Sequence, residues 1–288
     1  MQDYILFTDC ACDISPKLLA QWEVPFVSMT VKFDDEEESF QNFDRPFRAF
    51  YEKMRKGGVA RTAAVNAQTF LEAFEPCLKA GKDVLYLAFS SGLSTTYNSA
   101  LIALEELRER YPERRLIAVD SLAASAGFGL FVYLVKRKRD EGASIEEAAA
   151  YAESIKLNVC HWFTVDDLVY LKRGGRVSAA AALVGGLLNI KPVLHTDNEG
   201  HLINMFKVRG RRAAIKALAQ KYGELALDPA GGTLFISHGD CIEDAKLLKK
   251  IIMEDYGVNV ALITDIGPVI GSHSGPGTLA FFFLGKER

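Results

Sequence analysis

Short apolar runs rich in β-branched and aromatic residues trade places with amphipathic helical patterns along almost the whole chain. A chain written this way folds as α/β layers, because each sheet face needs helices to cover it and each helix needs a surface for its apolar stripe. Strands are expected at Tyr4–Thr8, Pro25–Val31, Val84–Phe89, Leu116–Val119, Thr233–Ser237 and Val258–Thr264. Pro192–His195 and Leu202–Val208 read as a hairpin about the turn Asp197-Asn198-Glu199-Gly200. Helices are expected over Pro46–Lys56, Ala67–Ala80, Thr95–Tyr111, Ser125–Glu141, Ser144–Leu157, Arg211–Tyr222 and Ile242–Tyr256. Ser144-Ile-Glu-Glu147 is a capping box that sets the start of the fifth of these. At 288 residues the chain is long for one core, so two domains are expected. Composition shifts most near His161–Trp162, which puts an α/β domain at 1–160 and a second at 161–288.

Composition narrows the class further. With 49% hydrophobic and 25% charged residues, the chain is neither disordered nor a coiled coil. The nearly uncharged stretch Val177–Ile190 is too short to span a bilayer. The N-terminus carries Asp3 and Tyr4 and no basic-then-apolar leader, so no signal peptide is expected. A net charge of −3 gives no electrostatic case for nucleic acid. Cys10, Cys12, Cys77, Cys160 and Cys241 are odd in number and contain no CxxC pair, which suits a reduced, cytoplasmic protein. The acidic run Asp34–Glu38 reads as a solvated loop, and the basic run Lys136–Arg139 suits the end of a helix.

Several signatures fail. The phosphate-binding G-x-x-x-x-G-K-[ST] is absent. Gly275-Pro-Gly-Thr-Leu-Ala280 matches G-x-G-x-x-A literally, but too little chain follows for a dinucleotide-binding unit. Gly271-Ser-His-Ser-Gly275 has His where a nucleophile elbow needs Ser. No second ligand pair supports a metal at Cys10 and Cys12 or at Cys160 and His161.

One feature survives on its own. Val84–Phe89 runs into Ser90-Ser91-Gly92-Leu93-Ser94-Thr95-Thr96, and a helix follows at once. A helix start presents unpaired N–H groups and a partial positive charge, and hydroxyls there cap the helix or bind an anion. One cap satisfies the helix, and this turn has several hydroxyls. At the carboxyl end of a parallel strand it lies where ligands bind. Thr8-Asp9-Cys10-Ala11-Cys12-Asp13 repeats the arrangement after the first strand, with Asp13 or Ser15 as a helix cap or a support for the site. Arg61-Thr62 reads as a loop before a helix. Leu171-Lys-Arg-Gly-Gly-Arg-Val-Ser178 reads as an exposed cationic loop for a phosphate-bearing partner or as a helix end. Lys207, Arg209, Arg211 and Arg212 form a second basic group, and His238 and His273 each fall in a glycine-bearing loop after a strand.

T-D-x-x-x-D, S-S-G-L-S-x-T-Y-N-S-A, V-D-S-x-x-A-S, L-x-R-G-G-R-V-S, N-I-K-P-V-L and H-G-D occur in one order over essentially the whole chain. Together they resemble the DegV family of bacterial fatty-acid-binding proteins. The resemblance implies a two-domain α/β fold enclosing one long-chain fatty acid, with no catalysis and no cofactor of its own. It also implies a partner, an ATP-dependent fatty-acid kinase that makes acyl phosphate for phospholipid synthesis. By position, Thr62 and Ser94, with Ser91 second, match the carboxylate-binding hydroxyls. Thr95 lies beside them and His273 matches a head-group histidine. Arg209 or Arg211 matches a basic position near the phosphate, and Arg173 and Arg176 are the kinase contacts. The chain departs from the family pattern at Cys10, where Ser is usual, at Thr95, where Gly is usual, and at Ala63–Asn66.

A tail of about twelve methylenes, at about 0.8 kcal/mol each, contributes roughly 10 kcal/mol gross before ordering costs. Phe26, Phe40, Phe43, Phe163 and Phe281–Phe283 offer apolar surface for a tunnel or for the core. Two other classes compete. A serine hydrolase or acyltransferase would use Ser91 or Ser94 with His238 or His273. A nucleotide-binding enzyme would need a phosphate loop that the chain lacks.

Overall fold

A computed structural model describes residues 4–178 and 189–288. β1 (Tyr4–Asp9), a 3-10 turn (Cys10–Cys12) and α1 (Pro16–Gln21) lead to β2 (Phe26–Val27), β3 (Thr30–Phe33) and β4 (Phe40–Gln41). α2 (Phe47–Arg55), β5 (Ala60–Ala63), α3 (Ala67–Lys79) and β6 (Asp83–Ala88) follow. Next come α4 (Thr96–Arg110), β7 (Leu116–Asp120), α5 (Ser125–Asp140) and α6 (Ile145–Ile155). β8 (Val159–Thr164), α7 (Val169–Arg173), the hairpin β9 (Ile190–Thr196) and β10 (Leu202–Arg209), and α8 (Arg211–Leu225) continue the chain. β11 (Phe235–His238), α9 (Ile242–Tyr256), β12 (Leu262–Asp265), α10 (Pro268–Ser274) and β13 (Leu279–Leu284) complete it.

The strands form three sheets. β2-β1-β6-β7 is wholly parallel. β4-β3-β5 is small and antiparallel. The third runs β10-β9-β8-β13-β11-β12, with only β11 and β12 parallel. Sheet membership changes at Val159, where the third sheet receives its first strand in chain order. Among the described residues, no helix is long and apolar enough to cross a membrane. Most of the uncharged run discussed above, residues 179–188, lies outside them.

α5 joins the layers. Eleven of its sixteen residues are buried, so it is a core helix rather than a surface one. It packs on the 3-10 turn and α6, and also on β8, β11 and β13. Gly127 and Gly129 make this approach possible. A Cβ at Gly127 would overlap His161 and Phe282, and one at Gly129 would meet Cys12 and Ile14.

The expected hairpin and the Ser144 capping box are both present. Three expectations need correction, and β8 and β13 lie outside the expected strands. The Pro25–Val31 strand is two strands in different sheets, because β2 pairs with β1 whereas β3 pairs with β4 and β5. Arg61 and Thr62 lie in β5, where Thr62 pairs with Val31, and not in a loop. The glycine-bearing segment around His273 folds as α10, with Pro268 at its first position. β8 and β13 had no alternating pattern to reveal them: they are neighbours inside the third sheet and nearly all their residues are buried.

Candidate functional site

β6 ends at Ala88, and the turn from Phe89 to Thr95 delivers the chain to α4. Asp9 holds the near side of this turn. Its buried carboxylate accepts hydrogen bonds from Phe89 N–H at 2.9 Å and Tyr86 O–H at 2.8 Å, and from Ala11 N–H at 3.0 Å. Burial raises the Asp9 carboxyl to about 6, and those three donors oppose the rise. Ser90 Oγ donates to Gly200 O at 2.9 Å, tying the turn to the tip of the β9–β10 hairpin. Gly200 has φ +80°, and a Cβ there would overlap Ser90 Oγ. Ser94 Oγ accepts the Thr96 N–H at 3.2 Å and lies 2.9 Å from Thr96 Oγ1, which in turn accepts Val65 N–H. Ser94 therefore serves the first turn of α4, and Thr95 at the N-cap position makes no side-chain cap bond.

From the other side come β5 and α10. Thr62 Oγ1 and His273 Nε2 lie 2.8 Å apart although 211 residues separate them in sequence. Burial, with the Arg176 charge nearby, pushes the His273 imidazole down to about 4, so it is neutral at pH 7. Among the described residues its Nδ1 is buried without a partner, and it faces Gly174, where a Cβ would overlap the ring. α10 is held by Val269 N–H to Asn42 Oδ1 at 2.8 Å and by Gly267 N–H to Asp13 Oδ1 at 2.9 Å. Ser15 caps α1 by accepting Leu18 N–H, which leaves Asp13 for this other use.

Between these walls lies a cavity of about 440 Å³. Thr62, Ser91, Ser94, Thr95, Arg176 and His273 line it, together with an apolar wall that includes Met29, Phe89, Leu171, Leu202 and Ile270. A second cavity of about 250 Å³ shares Thr62, Arg176 and His273 and adds Arg61 and Arg173. A third, of about 50 Å³, shares Ala124, Leu171, Leu202, Ile270 and Ser274 with the first and adds the apolar Phe163, Ile266, Ala280 and Phe282 beside the polar Ser125, His161, Thr196 and Thr278. Together they run from cationic through hydroxyl-lined to apolar. Charged and hydroxyl groups therefore gather at one end of the connected space and apolar side chains at the other.

Five of the residues singled out in the sequence, Thr62, Ser91, Ser94, Thr95 and His273, meet in one cavity. Others go elsewhere. Arg209 ends β10 with its side chain exposed, and Arg211 pairs with Asp244 at 2.8 Å and donates to Gly277 O at 2.6 Å. Neither lines the cavity, although Leu202 at the other end of β10 does. Arg173 is exposed beside Tyr170. Arg176 is not an exposed contact: it is half-buried in the cavity wall, and its guanidinium donates to Leu93 O and Gly174 O. His238 is buried at the end of β11, with Nε2 3.6 Å from Asp265, and does not line the cavity. Among the described residues no hydrogen bond joins Ser91 or Ser94 to His238 or His273, so the hydrolase pairing is not formed.

Sequence reasoning missed Gly174, Arg176 as a cavity wall, and the neck residues Leu171, Leu202 and Ile270. The R-G-G-R segment marked the first two without indicating which way they face.

A family model described as an uncharacterised protein of the DegV family matches residues 5–286. A DegV domain-containing protein of Clostridium perfringens is 45% identical, over 100% of this chain and 99% of that one. A solved DegV family protein of Thermus thermophilus, described for its fatty acid binding, superposes with a TM-score of 0.88 at 28% identity, covering 99% of this chain and 100% of that one. The fatty acid kinase B3 protein of Streptococcus pneumoniae, solved loaded with linoleic acid, shares the fold with a TM-score of 0.85 at 22% identity, covering 99% of each chain.

Proposed function

The chain belongs to the DegV family, and from that premise we propose that it is a binding protein for one long-chain fatty acid, with no chemistry of its own. The observation that carries this reading is convergence. The Thr62 and Ser94 hydroxyls and a neutral imidazole line one cavity, and the adjoining space brings in Phe163, Ile266, Ala280 and Phe282.

The hydrogens are well disposed for a carboxylate. A buried bare lone pair is cheaper than a buried bare N–H, so the unpartnered His273 Nδ1 is the deprotonated nitrogen. Nε2–H then donates to Thr62 Oγ1, and the Thr62 hydroxyl hydrogen is left for a carboxylate oxygen. Either hydroxyl can donate in the Ser94–Thr96 pair; with Thr96 Oγ1, which accepts Val65 N–H, as that donor, the Ser94 hydrogen is left for the same ligand. The N-terminus of the fifteen-residue α4 adds a partial positive charge, and Arg176 adds a full one in the cavity wall. The tail passes Leu171, Leu202 and Ile270 toward Phe163 and Phe282.

We extend the proposal to delivery. The carboxylate end adjoins the second cavity, where Arg61 and Arg173 stand. A fatty-acid kinase can phosphorylate the carboxylate there, giving acyl phosphate for phospholipid synthesis. Exposed Arg173, rather than Arg176, is the partner contact in this reading.

Mass spectrometry of an organic extract tests binding: one fatty acid per chain is expected, reduced in Thr62→Ala and Ser94→Ala. Protein that is empty in both natural and recombinant preparations refutes the reading. For delivery, Arg173→Glu should cut acyl phosphate formation by a purified fatty-acid kinase with the bound acid unchanged. An unaltered rate removes Arg173 from the contact.

A further inference from the structure

Asp13 is 2% exposed, and among the described residues it forms no ion pair. It follows the 3-10 turn with left-handed backbone, φ 51°. Three elements donate to it. Ser125 Oγ, at the start of α5, reaches Oδ2 at 2.6 Å; Gly267 N–H, just before α10, reaches Oδ1 at 2.9 Å; Thr264 Oγ1 on β12 reaches its backbone oxygen at 2.8 Å. Ser125 Oγ also lies 2.9 Å from Ser237 Oγ on β11. Asp13, just beyond the first strand of the parallel sheet, thus meets α5 and the residue before α10 through its side chain and β12 through its backbone oxygen.

α10 needs such an anchor. Seven residues are too few for a helix to hold itself, and Pro268 supplies no N–H. Its docking leaves no slack. A Cβ at Gly267 would overlap Asn42, and one at Gly271 would meet the Tyr51 hydroxyl, which itself donates to Ile266 O at 2.8 Å. A tightly docked short helix passes a displacement of its start along to its end. His273 lies six residues beyond Gly267, about 9 Å along the helix axis.

We propose that Asp13 is a positioning residue for His273: by fixing where α10 begins, it fixes where the imidazole meets Thr62. The ligand-binding readout of this inference rests on the fatty-acid reading above. Burial holds the Asp13 carboxyl up at about 8, so a neutral amide of the same shape can replace it. Asp13→Asn is therefore the conservative variant. Asp13→Gly is the deletion, since glycine meets no strain at this positive φ.

The experiment is a double-mutant cycle on fatty-acid affinity with His273→Ala, together with the ring ¹⁵N shifts of His273 in lipid-free protein. Asp13→Gly should weaken binding about tenfold with His273 present and less than about twofold in the His273→Ala background. Asp13→Asn should restore affinity to within about twofold of the parent. The His273 Nε2 signal should move in Asp13→Gly and return in Asp13→Asn. Equal losses in both backgrounds, or an unmoved ring signal, overturn the proposal, because a merely structural role acts without His273. If Asp13→Gly does not fold, Asp13→Ser goes through the same cycle with the same criteria. If no version binds fatty acid while the ring signal still moves, the lipid reading falls and the positioning role stands.

Discussion

Two adjacent glycines in the R-G-G-R segment should respond to alanine in opposite ways. Gly174 has φ −73° and ψ −9°, ordinary helical backbone, so an alanine there is not strained and gains up to about 1 kcal/mol of helical preference. Its Cβ, however, would stand 2.2 Å from His273 Nδ1, where ordinary contacts begin at 3.4 Å. The ring must swing by more than an ångström and release Thr62. Relieving that overlap costs about 1–3 kcal/mol, and the lost hydrogen bond about 1 kcal/mol. A binding loss of about 1–2 kcal/mol corresponds to roughly 5- to 30-fold weaker fatty-acid affinity. Gly175 has φ +71° and, among the described residues, nothing within 4 Å of a Cβ, so Gly175→Ala stores backbone strain of about 1 kcal/mol and leaves the imidazole alone. Titration with a fluorescent fatty acid and urea denaturation separate the two. Gly174→Ala should lose affinity, and Gly175→Ala should lose only stability. A Gly174→Ala protein that binds like the parent refutes the placement of His273 against α7.

Three further outcomes follow from the same geometry. Arg176→Ala should weaken fatty-acid binding several-fold, since Leu93 O loses its donors, whereas Arg211→Ala should leave affinity unchanged; equilibrium titration of both variants checks this, and the reverse order would return the head group to α8. Asp13, raised by burial to about 8, contributes stability that is complete below its unfolded value near pH 4 and is lost as pH rises through about 8. His273, held down to about 4, contributes stability that is complete above its unfolded value near pH 6.5 and is lost as pH falls through about 4. Urea midpoints across pH should show both limbs, with Asp13→Asn flattening only the alkaline one; an unchanged alkaline limb assigns it to another group. Gly200→Ala combines a positive φ with overlap on Ser90 Oγ, so it should cost about 2–4 kcal/mol in thermal or urea unfolding, against about 1 kcal/mol for Ser90→Ala. Equal costs would mean that the hairpin tip does not bear on the Ser90 turn.

What the chain reveals before folding divides along one physical line. The Ser90–Thr96 turn was legible because everything that defines it is local: a strand, a cluster of hydroxyls and a helix start occur within a dozen residues. The hairpin and the Ser144 cap were legible for the same reason. β8 and β13 were not, because strands buried on both faces have no alternation, and Trp162 and Phe282 look the same whether they fill a core or line a channel. Thr62 and His273 could be matched to family positions, but the 2.8 Å between them depends on β5 pairing with β3 and on α10 docking beneath Asn42. Arg176 shows the limit most plainly. Two glycines and three cations do read as an exposed loop, and Arg173 obeys that reading. Arg176 turns inward because the Leu93 carbonyl, 83 residues earlier, is brought within 2.7 Å. Periodicity states what an element needs from a neighbour and not which neighbour it receives. The residues that decide this site, Asp13 and Gly174 among them, act where two distant segments meet, so their roles emerge only from the packed chain.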